Sequence, residues 1–459
     1  MKIAVIGGGG VRTPLAVAAA VRRVERIGLD ELCLTDTDAE KLALIGALCQ
    51  VVVRRLDSPL RVTITTDPGQ AVAGSQHVIT SIRVGAEQGR VLDERIALRH
   101  GVLGQETTGP GGFAMALRSI PALLGYAQLI EEISPGAWMF NFTNPAGLVT
   151  QALRDSGFSR TVGICDGANL GQHAVADWLK VDAHRLRPEV FGLNHLSWTR
   201  RVWLDGEDVL APLLRDPAFL SGTTMSMFAP ALVEDIGMWI NEYLFYYYYS
   251  DRALKSISAD EKTRGEEVLD LNRRLIDQLR AVDIERSPDE ALRVYHGYEQ
   301  RRSATYMHYA RADAPTMQEA DLAEVVGTFT SEAGEGYAGV ALNLIEAMQT
   351  DTPLYTAVNV PNEGAIDCMR PGDVVEVSCR VDRDGVHPLR IGAVPEPQEL
   401  LMRSVKQYER LTVGAALTRS RRTAVLALMA HPLVLSYSLA ETLVDEYLEA
   451  HRASVGTWA

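Results

Sequence analysis

The sequence predicts an α/β protein, with a doubly wound parallel sheet over residues 1–196 and an α+β domain over residues 197–459. Three observations carry this. The chain opens on an apolar run, Ile3-Ala4-Val5-Ile6, that empties into four glycines. Short apolar runs and amphipathic stretches then alternate to about residue 164, the pattern of parallel strands joined by crossover helices. From about residue 197 the alternation breaks down into mixed helix and irregular chain.

Residues 1–38 read as a strand, a glycine turn (Gly7, Gly8, Gly9, Gly10), a helix and a second strand at 32–35 that ends on Asp36. Glycines let the backbone turn sharply and approach a pyrophosphate, which sits against the positive end of the following helix. An acid at the end of the second strand can accept hydrogen bonds from the adenosine ribose. The unit therefore reads as a Rossmann site for NAD, with Gly7 to Gly10, Val11 and Asp36 as its contacts. Gly7 and Gly9 fit the first two positions of the glycine fingerprint, and Arg12 stands at the third. A phosphate- or flavin-binding turn of similar shape is the alternative.

The elements that follow continue the pattern. Residues 39–56 place Leu42, Leu44, Ile45, Leu48 and Val51 near a helical period. A strand at 62–65, a short helix at 70–74 and a strand at 77–82 come next, the last emptying onto Arg83. Ligands bind such sheets at the carboxyl ends of the strands, so Arg83 is expected to face the cofactor. The stretch 90–100, with Arg90, Asp93, Glu94 and Arg95, reads as too charged for the core. The glycine-rich loop 104–112 (GQETTGPGG) is expected to face substrate or cofactor, ahead of a helix at 113–134 and a strand at 138–142. Asn144 at that strand's end can hold a nicotinamide amide or a sugar hydroxyl, with Asn-Pro turn chemistry as the plain alternative. A strand at 161–164 ends on Cys165-Asp166, and the stretch 191–198 carries Asn194 and His195. A strand-rich region at 374–391 and two helices, 398–419 and 422–450, complete the chain.

With 47% hydrophobic and 23% charged residues the chain has ample material for a core. A net charge of −14 argues against nucleic acid as a partner, because a phosphate backbone demands a basic face. No apolar run approaches the roughly 20 residues of a membrane span, so no membrane partner is expected. The N-terminus starts on a strand, and the five cysteines are scattered without a CxxC pair. Both features point to a reduced, cytoplasmic protein.

Cys165 and His195 fall where strands deliver side chains to the crevice, and a thiolate with an imidazole suits manganese, iron, cobalt, nickel or zinc. Two ligands are too few for a closed structural site, so a metal there keeps open positions for substrate oxygens. A buried free cysteine and a satisfied core histidine are the alternative. Asp166 can serve as a general acid, as a partner of the metal site, or as a helix cap. In the block 241–249 a tyrosine can act as a phenolate base if cations lower its pKa, although most such tyrosines pack in cores or interfaces. Arg264 and the pair Arg301-Arg302 are possible anion contacts or ordinary surface residues.

Taken together, Ala4 to Gly9 with Thr13-Pro14, GQETTGPGG at 104–112, NFTNP at 141–145, GLNHL at 192–196, Asn359 to Asn362 with Gly364, and the closing helices resemble glycoside hydrolase family 4 nearly end to end. These are NAD- and metal-dependent glycosidases, and GQETTGPGG and TNPAGLVT are most similar to the 6-phospho-β-glucosidases. The resemblance implies a reaction outside two-carboxylate glycoside hydrolysis. Bound NAD oxidises the sugar's 3-hydroxyl, which acidifies the proton on carbon 2. A base removes that proton, the aglycone is eliminated, water adds, and the ketone is reduced again. It further implies manganese on Cys165 and His195, and Tyr243 as the base through the pattern Asn-x-Tyr-Leu-x-Tyr-Tyr at 241–247. Arg90, Asn144 and Asn194 fall in blocks that line a small glycoside, Arg264 falls near it, and the assembly expected is a homodimer or homotetramer.

Three departures stand out. Arg12 lies where the relatives carry a serine- and tyrosine-containing turn, no arginine occurs within residues 359–362, and Asp166 replaces the usual asparagine after the metal cysteine. The last feature is similar to the phospho-α-glucosidases, where the aspartate is an acid on the leaving group. Arg12 is expected to supply a lost cationic contact to an anionic sugar substituent. The alternatives are a sulfonate, carboxylate or neutral group at carbon 6, an α-glycoside, a lactate/malate-type dehydrogenase, and a non-catalytic dinucleotide-binding regulator.

Overall fold

Ile3, Ala4, Val5 and Ile6 are all buried, as a strand flanked on both sides and covered on both faces must be. They form β1 (Lys2–Ile6), which pairs in parallel with β2 (Glu31–Thr35) and with β4 (His77–Thr80) in this computed structural model. The structure describes residues 1–307, 310, 321–330 and 336–459. β3 (Arg61–Thr65) continues the parallel sheet beyond β2, while β5 (Trp138–Asn141) and β6 (Thr161–Gly163) continue it beyond β4. The order β3-β2-β1-β4-β5-β6 is a Rossmann half-sheet doubled, with its reversal between β1 and β4 directly above the glycine turn.

The chain then builds an antiparallel hairpin, β7 (Arg187–Leu193) and β8 (Leu196–Leu204), with Asn194-His195 at its tip. β9 (Glu207–Asp208) and β10 (Trp239–Ile240) pair with β8. The C-terminal half returns β11 (Leu354–Pro361), β12 (Val374–Asp382) and β13 (Gly385–Pro388), which extend the first sheet antiparallel from β6 to nine strands. Strands from both sides of residue 196 therefore share one sheet. The hairpin sits against it through Ser378, whose hydroxyl accepts from Val190 N and donates to the Pro188 carbonyl, both at 2.8 Å.

Three expectations need correction. The helix Ala86–Arg99 is not excluded from the core by its charges, because Arg90, Asp93 and Glu94 are buried. Each is paired at short range: Asp93 with Arg118 (2.6 and 2.8 Å) and beside His451 Nε2 (2.6 Å), and Arg90 with Glu94 (2.7 Å). Burial of such charges is tolerable only in pairs. The helix expected over 422–450 is two helices, Arg421–Ala430 and Tyr437–Ala450, because Pro432 directs His431 out of the helical region. The strand β11 runs through residues that the sequence offered only as a motif. One helix, Pro110–Ile133, is long and apolar enough to cross a membrane by length and composition, yet every residue from Pro110 to Ile120 is buried within the fold.

Candidate active site

The glycine turn is set by close backbone approach. Gly7 has φ +94°, and a Cβ there would lie 2.2 Å from the Ser81 carbonyl oxygen at the end of β4. A Cβ at Gly8 would lie 2.7 Å from Leu34 Cβ. Gly7 N and Gly8 N donate to Thr35 O at 2.9 and 2.8 Å, and Gly10 N donates to Gly7 O at 3.0 Å. Val11 is buried beside the helix Thr13–Val21, whose N-terminus has no side-chain cap, and the Thr13 hydroxyl is buried without a hydrogen-bond partner. A cradle that no side chain can fill, uncapped N–H groups and an orphaned hydroxyl fit a dinucleotide phosphate. Asp36 lies beside the turn and braces it, Oδ2 accepting from Gly9 N at 3.0 Å. Arg83 stands just past the carboxyl end of β4, with its guanidinium 2.7 Å from Glu106. Asn144 is half-buried past the end of β5, at a cis bond to Pro145.

β6 delivers Cys165, and the hairpin tip delivers His195 in the left-handed region, with φ +63°. The His195 ring stacks on Tyr243, with centroids 3.6 Å apart and planes 9° from parallel. Its Nδ1 lies 2.6 Å from Thr107 Oγ1, whose proton goes to Gln105 Oε1 at 2.7 Å. Nδ1 must then carry the ring proton, which leaves the Nε2 lone pair for a metal. Burial lowers the imidazole's pKa to about 4, so the ring is neutral, as a ligand requires. Two residues of the GQETTGPGG loop thus fix a tautomer. The Cys165 thiol is buried and pushed well up by burial, Glu376 and Asp166, with the neighbouring Asn194 side chain acting the other way. Among the described residues no group of three or more His, Cys, Asp or Glu side chains gathers to hold an ion. A soft thiol and a neutral imidazole therefore fit an open site with two protein ligands.

Asp166 follows Cys165 with Oδ1 4.0 Å from Sγ, and it makes no cap bond to the turn Gly167–Asn169. The helix-cap alternative fails on that point. Arg12 is brought to the same place, since a Cβ at Gly336 would lie 2.6 Å from Arg12 Nη2 and 3.3 Å from Asp166 Oδ2. Tyr243 sits in the turn Glu242–Leu244, where Asn241 Oδ1 accepts from its backbone N at 3.0 Å. The Tyr306 hydroxyl bridges Glu242 (2.6 Å) and the Tyr243 hydroxyl (3.1 Å). Burial, with Glu242 and Glu106, raises the Tyr243 phenol well above its ordinary value.

Tyr243 borders a cleft lined also by Arg90, Glu106, Arg264, Arg302 and Tyr306. Glu106 accepts from Arg83 and from Arg90 (3.1 Å), and although burial opposes it, those two arginines hold its carboxyl far below the usual range. Arg264 opens the helix Arg264–Ala281, whose start is fixed by a Thr263/Glu266 capping box. Its guanidinium donates to Thr305 Oγ1 and to the Arg302 carbonyl (3.1 Å), and burial with the neighbouring Arg302 and Arg90 lowers its pKa. Asn194 accepts from Gly147 N at 3.4 Å and donates to Glu376 at 3.1 Å. Sequence reasoning missed Glu106 and Thr107 as individuals, and Tyr306 and Glu376 altogether. The one signal for Glu376 is a lone acid within the valine-rich run of β12.

The family model for family 4 glycosyl hydrolases matches residues 2–181, and the model for that family's C-terminal domain matches residues 190–434. The chain is 32% identical to a probable 6-phospho-β-glucosidase of Bacillus subtilis, over 99% of this chain and 97% of that protein. A solved 6-phospho-β-glucosidase of Thermotoga maritima, holding manganese, NAD+ and glucose-6-phosphate, superposes with a TM-score of 0.81 at 30% identity over 99% of both chains. A solved 6-phospho-α-glucosidase from gut microorganisms, in complex with NAD and Mn2+, superposes equally well, with TM-score 0.81 at 26% identity over 100% and 98% of the two chains. By sequence and by fold, the chain belongs to the family 4 glycosyl hydrolases.

Proposed function

We propose that this enzyme hydrolyses a small 6-phospho-β-glucoside by NAD- and manganese-dependent oxidation, elimination, hydration and reduction. The observation that carries the reading is the stack of Tyr243 on the neutral His195, beside Cys165 and at the edge of an arginine-lined cavity. A plain dehydrogenase has no use for a tyrosine base so placed. When bound, NAD and the metal supply a hydride acceptor and the positive charge that makes both the carbon-2 proton and the Tyr243 phenol more acidic. Cys165 and His195 Nε2 would hold the metal. The glycine turn with Asp36 holds the dinucleotide, and Arg83 and Asn144 stand at the strand ends that face it.

Tyr243, as phenolate, takes the carbon-2 proton and later returns it, with Tyr306 holding the oxygen in place. Asp166 gives a proton to the departing glycosidic oxygen and takes one from the incoming water. Arg90, Asn194 and Arg264 position the sugar. Arg264 carries the repulsion of Arg302 and Arg90, which an entering phosphate relieves, and Arg12 adds charge at the Asp166 end. Asp166 also favours a second reading, a 6-phospho-α-glucoside. Family resemblance and five free cysteines support a cytoplasmic homodimer or homotetramer.

The test is turnover of nitrophenyl α- and β-glycosides carrying phosphate, sulfonate, carboxylate or hydroxyl at carbon 6. Many turnovers per NAD+ without net NADH, with solvent deuterium at carbon 2 of the product, are expected. NADH accumulating in step with product would overturn the reading.

A further inference from the structure

Glu376 is completely buried, on β12 and outside the substrate cavity. Its Oε1 accepts from Asn194 Nδ2 and Asn359 Nδ2, each at 3.1 Å, and its Oε2 accepts from Ser197 Oγ at 2.7 Å. These donors come from three places in the chain. Asn194 precedes His195 at the hairpin tip, lies beside the Cys165 thiol and packs against Gly147. Ser197 is the second residue of β8 and accepts from Asn241 Nδ2 at 3.2 Å, and Asn241 in turn holds the Tyr243 backbone. Asn359 lies opposite both Glu376 and Gly163, two residues before Cys165. One buried carboxylate thus collects donors from the segments that carry both metal ligands and the base.

We infer that Glu376 is a positioning residue that sets the separation of Cys165 and His195, and so determines how tightly the enzyme holds its divalent metal. The physical reason is the number of acceptors. Burial raises this carboxyl's pKa to about 7, while the bonds from Ser197, Asn194 and Asn359 favour its charged form; as a carboxylate it offers two acceptor oxygens and no donor, which is what three converging donors require. A buried donor left without an acceptor costs enough to move the segment that carries it, and here that segment is the left-handed tip bearing His195. Glutamine keeps the shape and can still accept from both asparagines through one oxygen, but it must reverse the Ser197 bond. Methionine keeps the volume and accepts from none.

This inference rests on Cys165 and His195 being the metal ligands, so the experiment includes a control for that reading. Mn2+ affinity, read from the electron paramagnetic resonance signal of free Mn2+, is measured alongside NAD+ affinity and melting temperature for wild type, Glu376→Gln, Glu376→Met and Cys165→Ser. Groups behind metal ligands typically change affinity by about 10–100-fold. Glu376→Met is expected to weaken Mn2+ in that range and Glu376→Gln by about threefold or more, with NAD+ affinity within about twofold of wild type. If Glu376→Met does not fold, Glu376→Gln alone decides. Unchanged Mn2+ affinity, or Mn2+ and NAD+ affinities falling together with the melting temperature, would overturn the assignment. Wild-type Mn2+ affinity retained in Cys165→Ser would overturn the metal assignment itself, and this inference with it.

Discussion

The proposed cofactor and sugar ends of the crevice are built from different materials. At the cofactor end the chain uses its backbone: Gly7, Gly8 and Gly10 matter for the side chains they lack, and their hydrogen bonds run to Thr35 O and Gly7 O. At the sugar end it uses side chains from distant segments, held by buried charge. Glu106 ties Arg83 to Arg90, Tyr306 ties Glu242 to Tyr243, and Glu376 ties Asn194, Ser197 and Asn359. A backbone site fails when something is added to it, whereas a side-chain site fails when something is removed.

Substitutions can break that contrast. The largest effect is expected from Tyr243→Phe, which keeps the stack on His195 but removes the oxygen, so kcat falls about 10²–10⁴-fold while NAD+ affinity holds. Asp166→Asn comes next. Loss of a general acid is felt most with a poor leaving group, so methyl 6-phosphoglucosides lose on the order of 100-fold in kcat/KM and nitrophenyl substrates far less. Equal losses on both would remove Asp166 from the acid role.

Gly7→Ala tests the other end. A positive φ costs an L-residue about 1–2 kcal/mol, and the new Cβ would meet the Ser81 carbonyl. NAD+ affinity is expected to drop tenfold or more, measured by titration, with Mn2+ affinity nearly preserved. A parallel loss of both would mean that the two ends are one mechanical unit.

A smaller effect concerns pH. His431 is buried between Tyr408 and Tyr247, its Nδ1 accepts from Leu433 N at 3.1 Å, and burial lowers its pKa to about 3. The native state therefore refuses a proton that the unfolded chain accepts near its ordinary value of 6.5. Its contribution is complete above that value and is lost as pH falls from about 6.5 towards 3, by about 1.4 kcal/mol per pH unit. His431→Asn keeps an acceptor for Leu433 N and should flatten this part of the stability profile in chemical denaturation. Arg12→Ser closes the series. With a phosphorylated substrate KM rises about tenfold, and with a neutral analogue it does not, because a charge-assisted contact is worth about 1.5 kcal/mol.

The sequence by itself determined the parallel half-sheet, the glycine turn and Asp36, because period-2 and period-3.6 apolar patterns and a turn without Cβ atoms are local properties. It also pointed to Cys165, His195, Tyr243, Arg90 and Arg264, through motif blocks whose spacing survives in the linear chain. Only the tertiary structure decided that β11, β12 and β13 join that same sheet, that Arg90, Asp93 and Glu94 are core residues, and that Asp166 is not a helix cap. Charge in a helix reads as solvent exposure until its partners are known, and Asp93 finds Arg118 and His451 only across the fold. Glu376 is the plainest case. Its three donors lie 182, 179 and 17 residues away along the chain, so nothing local announces that one carboxylate stands behind the site.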